Sequence, residues 1–310
     1  MLIDLFFIIL GVAMVLSGAD RLTEGAAALA RRMNIPEIVI GLTIVAAGTS
    51  APELFVSVVS ALKGTPDLAV GNVVGSNTMN AMLIVGCAAM VAPMTISRST
   101  VKKDIPFSVG ASVLLMLLAL NHFLGRTDGI ILLLGFAVFM TYTLLQAKKG
   151  QAEAVAEQQK QRSSWLNAGF VLLGLALLVV GSNVFVDHAS NLAYSLGISE
   201  GVVGLTVVAG GTSLPELATS VVAARKGQSA IAIGNVIGSN VFNILLILGL
   251  TAAINPLQIE GITTIDMAVM LLSVSLVWLF SRTRYTVERW EGGLLVLLYL
   301  AYLGWLIGSL

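Results

Sequence analysis

The sequence has little charge, few aromatic residues and a single cysteine. Charged residues make up 11% of the 310 positions and hydrophobic residues 57%, whereas soluble domains carry about 25% charged residues. Because Cys87 stands alone, an intrachain disulfide is excluded. The chain also lacks a Walker A lysine motif, a zinc-ligand cluster and a Ser-His-Asp order in a sensible context. We therefore expect neither enzyme activity, nor a cofactor, nor a nucleic-acid partner.

Long apolar runs dominate the chain instead. Several exceed the roughly 18 residues needed to span a bilayer, which indicates an all-α polytopic membrane protein surrounded by lipid. The first run lacks the basic region of a signal peptide, so we interpret it as a retained helix. The runs predict ten transmembrane helices, at 3–30, 36–62, 68–93, 104–121, 127–147, 165–192, 199–225, 230–254, 263–281 and 287–308.

One stretch of sequence occurs twice. Residues 41–86 align with residues 204–249 at an offset of 163 without a gap, and 28 of the 46 positions are identical. Each copy carries one acidic residue inside an apolar segment, Glu53 in the first and Glu216 in the second. A duplication kept only for packing would not need two buried carboxylates, so the repeat favours a functional site.

Basic residues predict the orientation of the helices. With the N-terminus outside, 14 of the 17 Lys and Arg residues fall at the inner side, in agreement with the positive-inside rule. Both termini then lie outside the inner membrane, and the one long polar connection, 147–164, is a cytoplasmic linker. Each half has an odd number of helices, five, so two similar halves cross in opposite senses, as in inverted-repeat transporters. We divide the chain into a first repeat, 1–146, the linker, and a second repeat, 165–310.

The first motif of the repeat combines a helix break with oxygen atoms. In GTSAPE, Pro52 has no N–H and clashes with the carbonyl of Gly48, so the helix must kink or break. Carbonyl groups freed by the break need partners, because hydrocarbon offers none. Thr49 and Ser50 add hydroxyl oxygens beside the carboxylate of Glu53. The second copy, GTSLPE, supplies the same groups from Thr212, Ser213 and Glu216.

This set of oxygens predicts a site for a hard cation. Ca²⁺ takes six to eight oxygen ligands, and two carboxylates neutralise one such ion. A charged side chain in the membrane costs roughly 2.5–3.5 kcal/mol even on the lenient insertion scale, and two close carboxylates cost more unless cations or protons occupy the site. The alternative is a protonated glutamate in a structural hydrogen bond.

The second motif reads GNVVGSNTMN and, in the second copy, GNVIGSNVFN. Asn72, Ser76 and Asn80 are four residues apart and share one helix face, as oxygens along a cation path would. Asn77 is displaced from this stripe by one position, so we give it less weight. The equivalent stripe in the second copy consists of Asn235, Ser239 and Asn243. Interhelical hydrogen bonding is the alternative role, above all for the first asparagine of each stripe, and the four-residue spacing of the glycines allows helices to approach closely.

With both motif pairs in view, the chain resembles the cation/calcium exchanger superfamily in its prokaryotic sodium/calcium exchanger branch. The two motif pairs resemble the family's two α-repeats. The resemblance implies a ten-helix bundle in which helices 2, 3, 7 and 8 form the core and the long helices 1 and 6 slide across it. It also implies a set of ligands for the transported cations: Glu53, Glu216, Thr49, Thr212, Ser50, Ser213, Ser76, Ser239, Asn80, Asn243 and the backbone carbonyls of Ala46 and Ala209.

One position departs from part of that family. Some members, including the potassium-dependent branch, carry an aspartate where this chain has Asn243, which argues against potassium co-transport. We expect an antiporter that exchanges Na⁺ for Ca²⁺ by alternating access, electrogenic and working as a monomer. The alternative is a Ca²⁺/H⁺ antiporter that uses the same two glutamates. A cation channel would differ in needing no counter-ion.

Overall fold

The computed structural model describes residues 2–153, 164–196 and 209–308, and this part of the chain is almost entirely helical. We number its helices in chain order, counting a helix interrupted at one residue as a single element. The helices are α1 (Leu2–Met33), α2 (Glu37–Thr49 and Ala51–Leu62), α3 (Pro66–Val91), α4 (Thr100–Asn121), α5 (Arg126–Glu153), α6 (Ser164–Ser195), α7 (Ala209–Thr212 and Leu214–Arg225), α8 (Ser229–Ile254), α9 (Thr264–Arg282) and α10 (Arg289–Gly308).

Eight helices of the described chain are long and apolar enough to cross a membrane, and the two pieces of α2 can make a ninth span. The prediction of a polytopic all-α membrane protein is confirmed. The predicted seventh helix, 199–225, is described only from Ala209 onwards, because residues 197–208 lie outside the described chain.

The fifth helix extends into the polar connection between the halves, which the sequence places at 147–164. The predicted fifth helix ends at 147, but α5 continues to Glu153. Ala, Lys, Gln and Glu predominate in 147–153, and these residues have high helix propensity, so the helix extends past its apolar part. The remainder of the predicted linker up to 163 lies outside the described residues.

Both helices that carry the first motif are interrupted at its serine. The two pieces of α2 meet at Ser50, whose φ and ψ are −81° and 7°, and they are bent by 46°. In α7 the interruption falls at Ser213, with φ and ψ of −92° and 6°. Pro52 and Pro215 occupy the first turn of the second piece, where a missing N–H costs no hydrogen bond. The predicted break is confirmed in both copies.

Four short strands show that contacts recur between the halves. We label them β1 (Met94–Thr95), β2 (Phe123–Leu124), β3 (Leu257–Gln258) and β4 (Thr286–Val287). β1 pairs with β4 and β2 pairs with β3, both antiparallel. A shift of 163 residues converts β1 into β3 and β2 into β4, so each pairing is the counterpart of the other.

The long helices α1 and α6 pack through glycines. A Cβ atom added at Gly11 would lie 2.8 Å from the carbonyl oxygen of Gly181, and one at Gly18 would lie 2.7 Å from that of Gly174. The contact numbers run in opposite directions, so the helices are antiparallel. Because no side chain fits between these backbones, the glycines allow the close approach.

The central helices are α3 and α8, which are mostly buried. In α8 a Cβ atom at Gly238 would lie 2.7 Å from the Cβ atom of Ala46, and one at Gly234 would lie 3.0 Å from the Cα atom of Gly41. The glycine pair of the second motif therefore brings α8 directly against the first piece of α2, and so against the first motif.

Candidate cation site

The helix breaks place both glutamates at the start of a helical piece. Glu53 lies in the first turn of Ala51–Leu62 and Glu216 in the first turn of Leu214–Arg225. Their exposures are 1% and 0%. Helix N-termini carry partial positive charge, which favours carboxylates. Within the described chain no group of three or more His, Cys, Asp or Glu side chains could hold a metal ion, so the site consists of two carboxylates and neutral oxygens.

The two motifs exchange hydrogen bonds across the halves. The Ser50 hydroxyl donates to Oε1 of Glu216 at 3.0 Å, and the Ser213 hydroxyl donates to Oε1 of Glu53 at 3.1 Å. A shift of 163 residues converts one bond into the other. Each serine at a helix break therefore binds the carboxylate of the opposite break, and the two motifs form one site.

Four buried oxygens at this site have no hydrogen-bond partner: Glu53 Oε2, Glu216 Oε2, Asn80 Oδ1 and Asn243 Oδ1. They form two equivalent pairs under the same shift. A buried acceptor without a donor costs about 1–3 kcal/mol, and more if it is charged, so native proteins pair nearly all such atoms. All four atoms can accept and coordinate, which is the chemistry of a cation ligand.

The serines of the second motif adjoin the carboxylates. The Ser76 hydroxyl lies 3.1 Å from that of Ser213, and Ser239 donates to Oε1 of Glu216 at 3.4 Å. Ser76 is 4% exposed and Ser239 is 0% exposed. The hydroxyl groups are thus close to the carboxylate oxygens, and they can rotate to present a lone pair.

Among the predicted hydroxyl ligands, Thr49 has hydrogen-bond partners within the protein. Its hydroxyl lies 3.0 Å from Oδ1 of Asn235 and 3.4 Å from the carbonyl oxygen of Ala46. That carbonyl also accepts from the backbone N–H of Ser50 at 3.0 Å. Ala209, the predicted counterpart, is the first described residue of α7.

Thr212 lies beside a cavity of about 270 Å³. The cavity is enclosed by the second piece of α2, by α6 and by the break in α7. Pro52 and Phe55 line one wall, and Ser182 and Asp187 line another. The cavity therefore borders the first motif of both copies, at Pro52 and at Thr212.

The first asparagine of each second motif anchors two helices to each other. Asn72 donates to the backbone carbonyl of Glu53 at 3.1 Å and to Ser57 at 2.9 Å. Asn235 does the same with Glu216 at 3.3 Å and Ser220 at 3.0 Å. The alternative interpretation of these two residues, interhelical hydrogen bonding, is therefore what the structure shows.

Sequence reasoning gave Asn77 less weight than the polar stripe and did not single out Asn240. Both are buried, and Asn77 accepts a hydrogen bond from Asn243 while Asn240 accepts one from Asn80. The signal was present, since the two copies both read GSN followed three residues later by another asparagine. A π-helical turn also begins at this point in each copy, at Asn80–Ile84 and at Phe242–Leu248, and such turns often mark functional sites.

Comparison with known proteins gives two matches that are related by the same 163-residue shift as the repeat. The family model described as sodium/calcium exchanger protein matches residues 3–145 and 166–308, and both ends of the second range are shifted by 163 from those of the first. The chain belongs to this family. It is thus a multi-pass membrane protein of a transporter family, in the sodium/calcium exchanger branch of the cation/calcium exchangers.

Relatives that match over nearly their whole length are consistent with this family assignment. The chain is 37% identical to the inner membrane protein YrbG of Escherichia coli, over 99% of this chain and 98% of the relative. It is 34% identical to the sodium/calcium exchanger MaX1 of Methanosarcina acetivorans, over 97% of each chain. The solved structure of the sodium-calcium exchanger NCX_Mj, soaked with Na⁺ and Sr²⁺, has a TM-score of 0.87 and 30% identity, covering 100% of this chain and 99% of that one.

Proposed function

We propose that the protein exchanges Na⁺ for Ca²⁺ across the inner membrane by alternating access, with both ions using the site around Glu53 and Glu216. The observation that carries this proposal is the set of four buried, unpartnered oxygens, two from carboxylates and two from amides. Hard cations satisfy such oxygens, and the family and its named members support cation/calcium antiport. The ions are substrates, and no resident cofactor is proposed.

Charge balance explains why the two ions would exchange. Two carboxylates neutralise one Ca²⁺ or two Na⁺, and leaving them unneutralised in the membrane is costly. A full load of both ions would leave a large excess of positive charge among buried groups. Occupation by one ion therefore weakens binding of the other. Each change between the two conformations then carries one kind of ion across the membrane.

The proposed architecture is ten transmembrane helices in two inverted repeats, 1–146 and 165–310, joined by a cytoplasmic linker, 147–164, with both termini outside. Equivalent strand pairings and equivalent serine–glutamate bonds support a twofold relation between the halves. Five helices per half then require opposite orientations in the membrane. Because one chain carries both halves, a monomer contains the whole proposed site.

The cavity beside Thr212 supports a carrier open to one side. Its walls include Phe55 and Asp187, which belong to the outer halves of α2 and α6 in the predicted orientation. Lys226, which directly follows the inner end of α7, forms an ion pair with Asp20 of α1, with 2.6 Å between Oδ1 and Nζ. We therefore interpret this conformation as open to the outside.

An uptake assay with purified protein in vesicles tests the proposed exchange. Vesicles loaded with Na⁺ should accumulate Ca²⁺ when diluted into Na⁺-free medium, and a pH gradient of equal size should have no effect. Ca²⁺ uptake that follows the pH gradient and ignores Na⁺ would establish the Ca²⁺/H⁺ alternative. Flux without any counter-ion would indicate a channel and would contradict the proposal.

A further inference from the structure

Four buried asparagines join α3 and α8 at the level of the candidate site. Asn77 and Asn80 belong to the first copy of the second motif, and Asn240 and Asn243 are their equivalents. None is more than 2% exposed. The Asn80 Nδ2 group donates to Oδ1 of Asn240 at 3.1 Å, and the Asn243 Nδ2 group donates to Oδ1 of Asn77 at 3.0 Å. These two bonds are equivalent under the 163-residue shift.

The orientation of one of these amides is fixed by the backbone. The Asn77 Nδ2 group donates to the backbone carbonyl oxygen of Asn240 at 3.1 Å, and a carbonyl can only accept. The other end of that amide, Oδ1, is thereby directed to Asn243 and requires a donor from it. Asn243 meets this requirement with its nitrogen, so its oxygen points away from Asn77.

The oxygens directed away from these bonds are the unpartnered ones. Oδ1 of Asn80 and Oδ1 of Asn243 are both buried without a donor, as are the Oε2 atoms of the two glutamates. If either amide rotated by 180°, it would set an oxygen against an oxygen of its partner and present an NH₂ group to the site. An NH₂ group repels a cation, whereas a carbonyl oxygen coordinates it.

We propose that Asn77 and Asn240 are positioning residues that hold the amide oxygens of Asn243 and Asn80 towards the transported cation. They contact no cation themselves. Groups that orient metal ligands in this way typically change metal affinity by about 10–100-fold when they are removed. The proposal rests on the proposed function, because it takes Asn80 and Asn243 as ligands.

The test measures Ca²⁺ binding to purified protein in detergent. Asn77→Leu removes the acceptor for Asn243, and Asn240→Leu removes the acceptor for Asn80. We expect each to weaken Ca²⁺ binding by about 10–100-fold. The matched control is Thr78→Val, because Thr78 is buried on the same helix, its hydroxyl bonds only the Val74 carbonyl, and its equivalent is already Val241. This control should bind Ca²⁺ like the wild type.

A rescue separates positioning from a merely structural role. A carboxylate presents an oxygen at either end, so it needs no partner to orient it. Asn243→Asp should therefore strengthen Ca²⁺ binding much more in the Asn77→Leu background than in the wild type, where its oxygen would oppose that of Asn77. Asn80→Asp should do the same in the Asn240→Leu background. This non-additivity is what a double-mutant cycle measures.

Three results would overturn the proposal. They are wild-type Ca²⁺ affinity in both leucine variants, an equal gain from the aspartate in both backgrounds, or an equal loss in Thr78→Val. If neither leucine variant folds, Asn240→Asp decides, because it keeps an acceptor for Asn80 and should bind Ca²⁺ at least as tightly as the wild type; weaker binding would contradict the proposal. Failure of the proposed function is distinguishable, since the wild type itself would then show no Ca²⁺ binding that Na⁺ competes away.

Discussion

At the scale of single residues, the two glutamates differ from every other acid of the described chain in their setting. Each is almost fully buried, each receives a hydroxyl bond on Oε1 from the opposite half, and each leaves Oε2 unpartnered. The other buried acids of the described chain accept hydrogen bonds from residues of their own half. Asp266, for example, caps its own helix through Thr263 and accepts from Tyr302 at 2.7 Å.

Replacing either glutamate by glutamine should abolish exchange without unfolding the protein. Glu53→Gln and Glu216→Gln keep the shape and lose one unit of negative charge. Removing one partner of a buried ion pair costs about 3–5 kcal/mol, which corresponds to a loss of Ca²⁺ affinity of more than about 100-fold. The measurement is Ca²⁺ uptake into vesicles, with Glu260→Gln at an exposed loop position as the control. Wild-type rates in either buried variant would contradict a shared site.

Much of the candidate site was predictable at this scale because its residues recur at equivalent positions of the two copies. Both helix breaks, both glutamates and the two serines at the breaks follow from proline chemistry and from a spacing that recurs after 163 positions. The pairing of Ser50 with Glu216, and of Asn77 with Asn243, was not predictable. Such contacts join residues more than 160 positions apart, and they depend on how the helices of the two halves cross, which no local pattern specifies.

At the scale of helices, α1 and α6 are held together by their glycines. Gly174→Ala should destabilise the protein, because the new Cβ atom would lie 2.7 Å from the backbone nitrogen of Leu22 and 2.8 Å from the carbonyl oxygen of Gly18. Overpacking of this kind costs about 1–3 kcal/mol. Thermal unfolding in detergent provides the measurement. Gly169→Ala is the matched control, since it lies on the same helix with open space around its Cβ position, and equal unfolding temperatures for the two variants would contradict the expectation.

The ion pair between α1 and α7 should bias the carrier towards its outward-open state. Lys226 binds Asp20, whereas its equivalent in the first half, Lys63, forms no ion pair with any residue the structure describes. The partners are partly exposed, at 29% and 54%, so the pair contributes only about 0.2–1 kcal/mol. Lys226→Met should therefore shift the balance between the two states by a factor of about 1.4 to 5.

Cysteine labelling measures that balance. A cysteine introduced at Asn183, which is exposed and lines the cavity, in a Cys87→Ser background should react with an impermeant maleimide added outside. Lys226→Met should slow this reaction, by up to the factor given above when the outward-open state is the less populated one, and Lys63→Met should not slow it. Equal rates in all three proteins would show that the ion pair does not influence access.

Helix ends were the least predictable elements. The fifth helix runs six residues beyond its apolar part, because 147–153 favours a helix although it is polar. The π-helical turns at Asn80 and Phe242 carry no sequence signature beyond the repeat itself. Apolar periodicity locates the membrane-embedded part of a helix, and the last turns depend on solvent and on neighbouring helices.

At the scale of the whole molecule, the proposed site has two negative charges, because positions 80 and 243 are both amides. The family resemblance implies three Na⁺ per Ca²⁺, and a carrier loaded with three Na⁺ then keeps one excess positive charge. Exchange should therefore be electrogenic and respond to membrane potential, at about 2.3 kcal/mol per charge per 100 mV. Ca²⁺ uptake into Na⁺-loaded vesicles should rise when a potassium gradient with valinomycin makes the interior positive. An uptake rate independent of that potential would contradict a stoichiometry above two.

The central claim is that Na⁺ and Ca²⁺ compete for one set of ligands, and Ca²⁺ titrations of the purified protein at rising Na⁺ concentration test it most directly. Two or more Na⁺ replacing one Ca²⁺ should raise the apparent Kd for Ca²⁺ without limit, with a logarithmic slope that approaches at least about two. A Kd that levels off at high Na⁺, with Ca²⁺ still bound to Na⁺-saturated protein, would mean that the ions occupy separate sites and would contradict the claim.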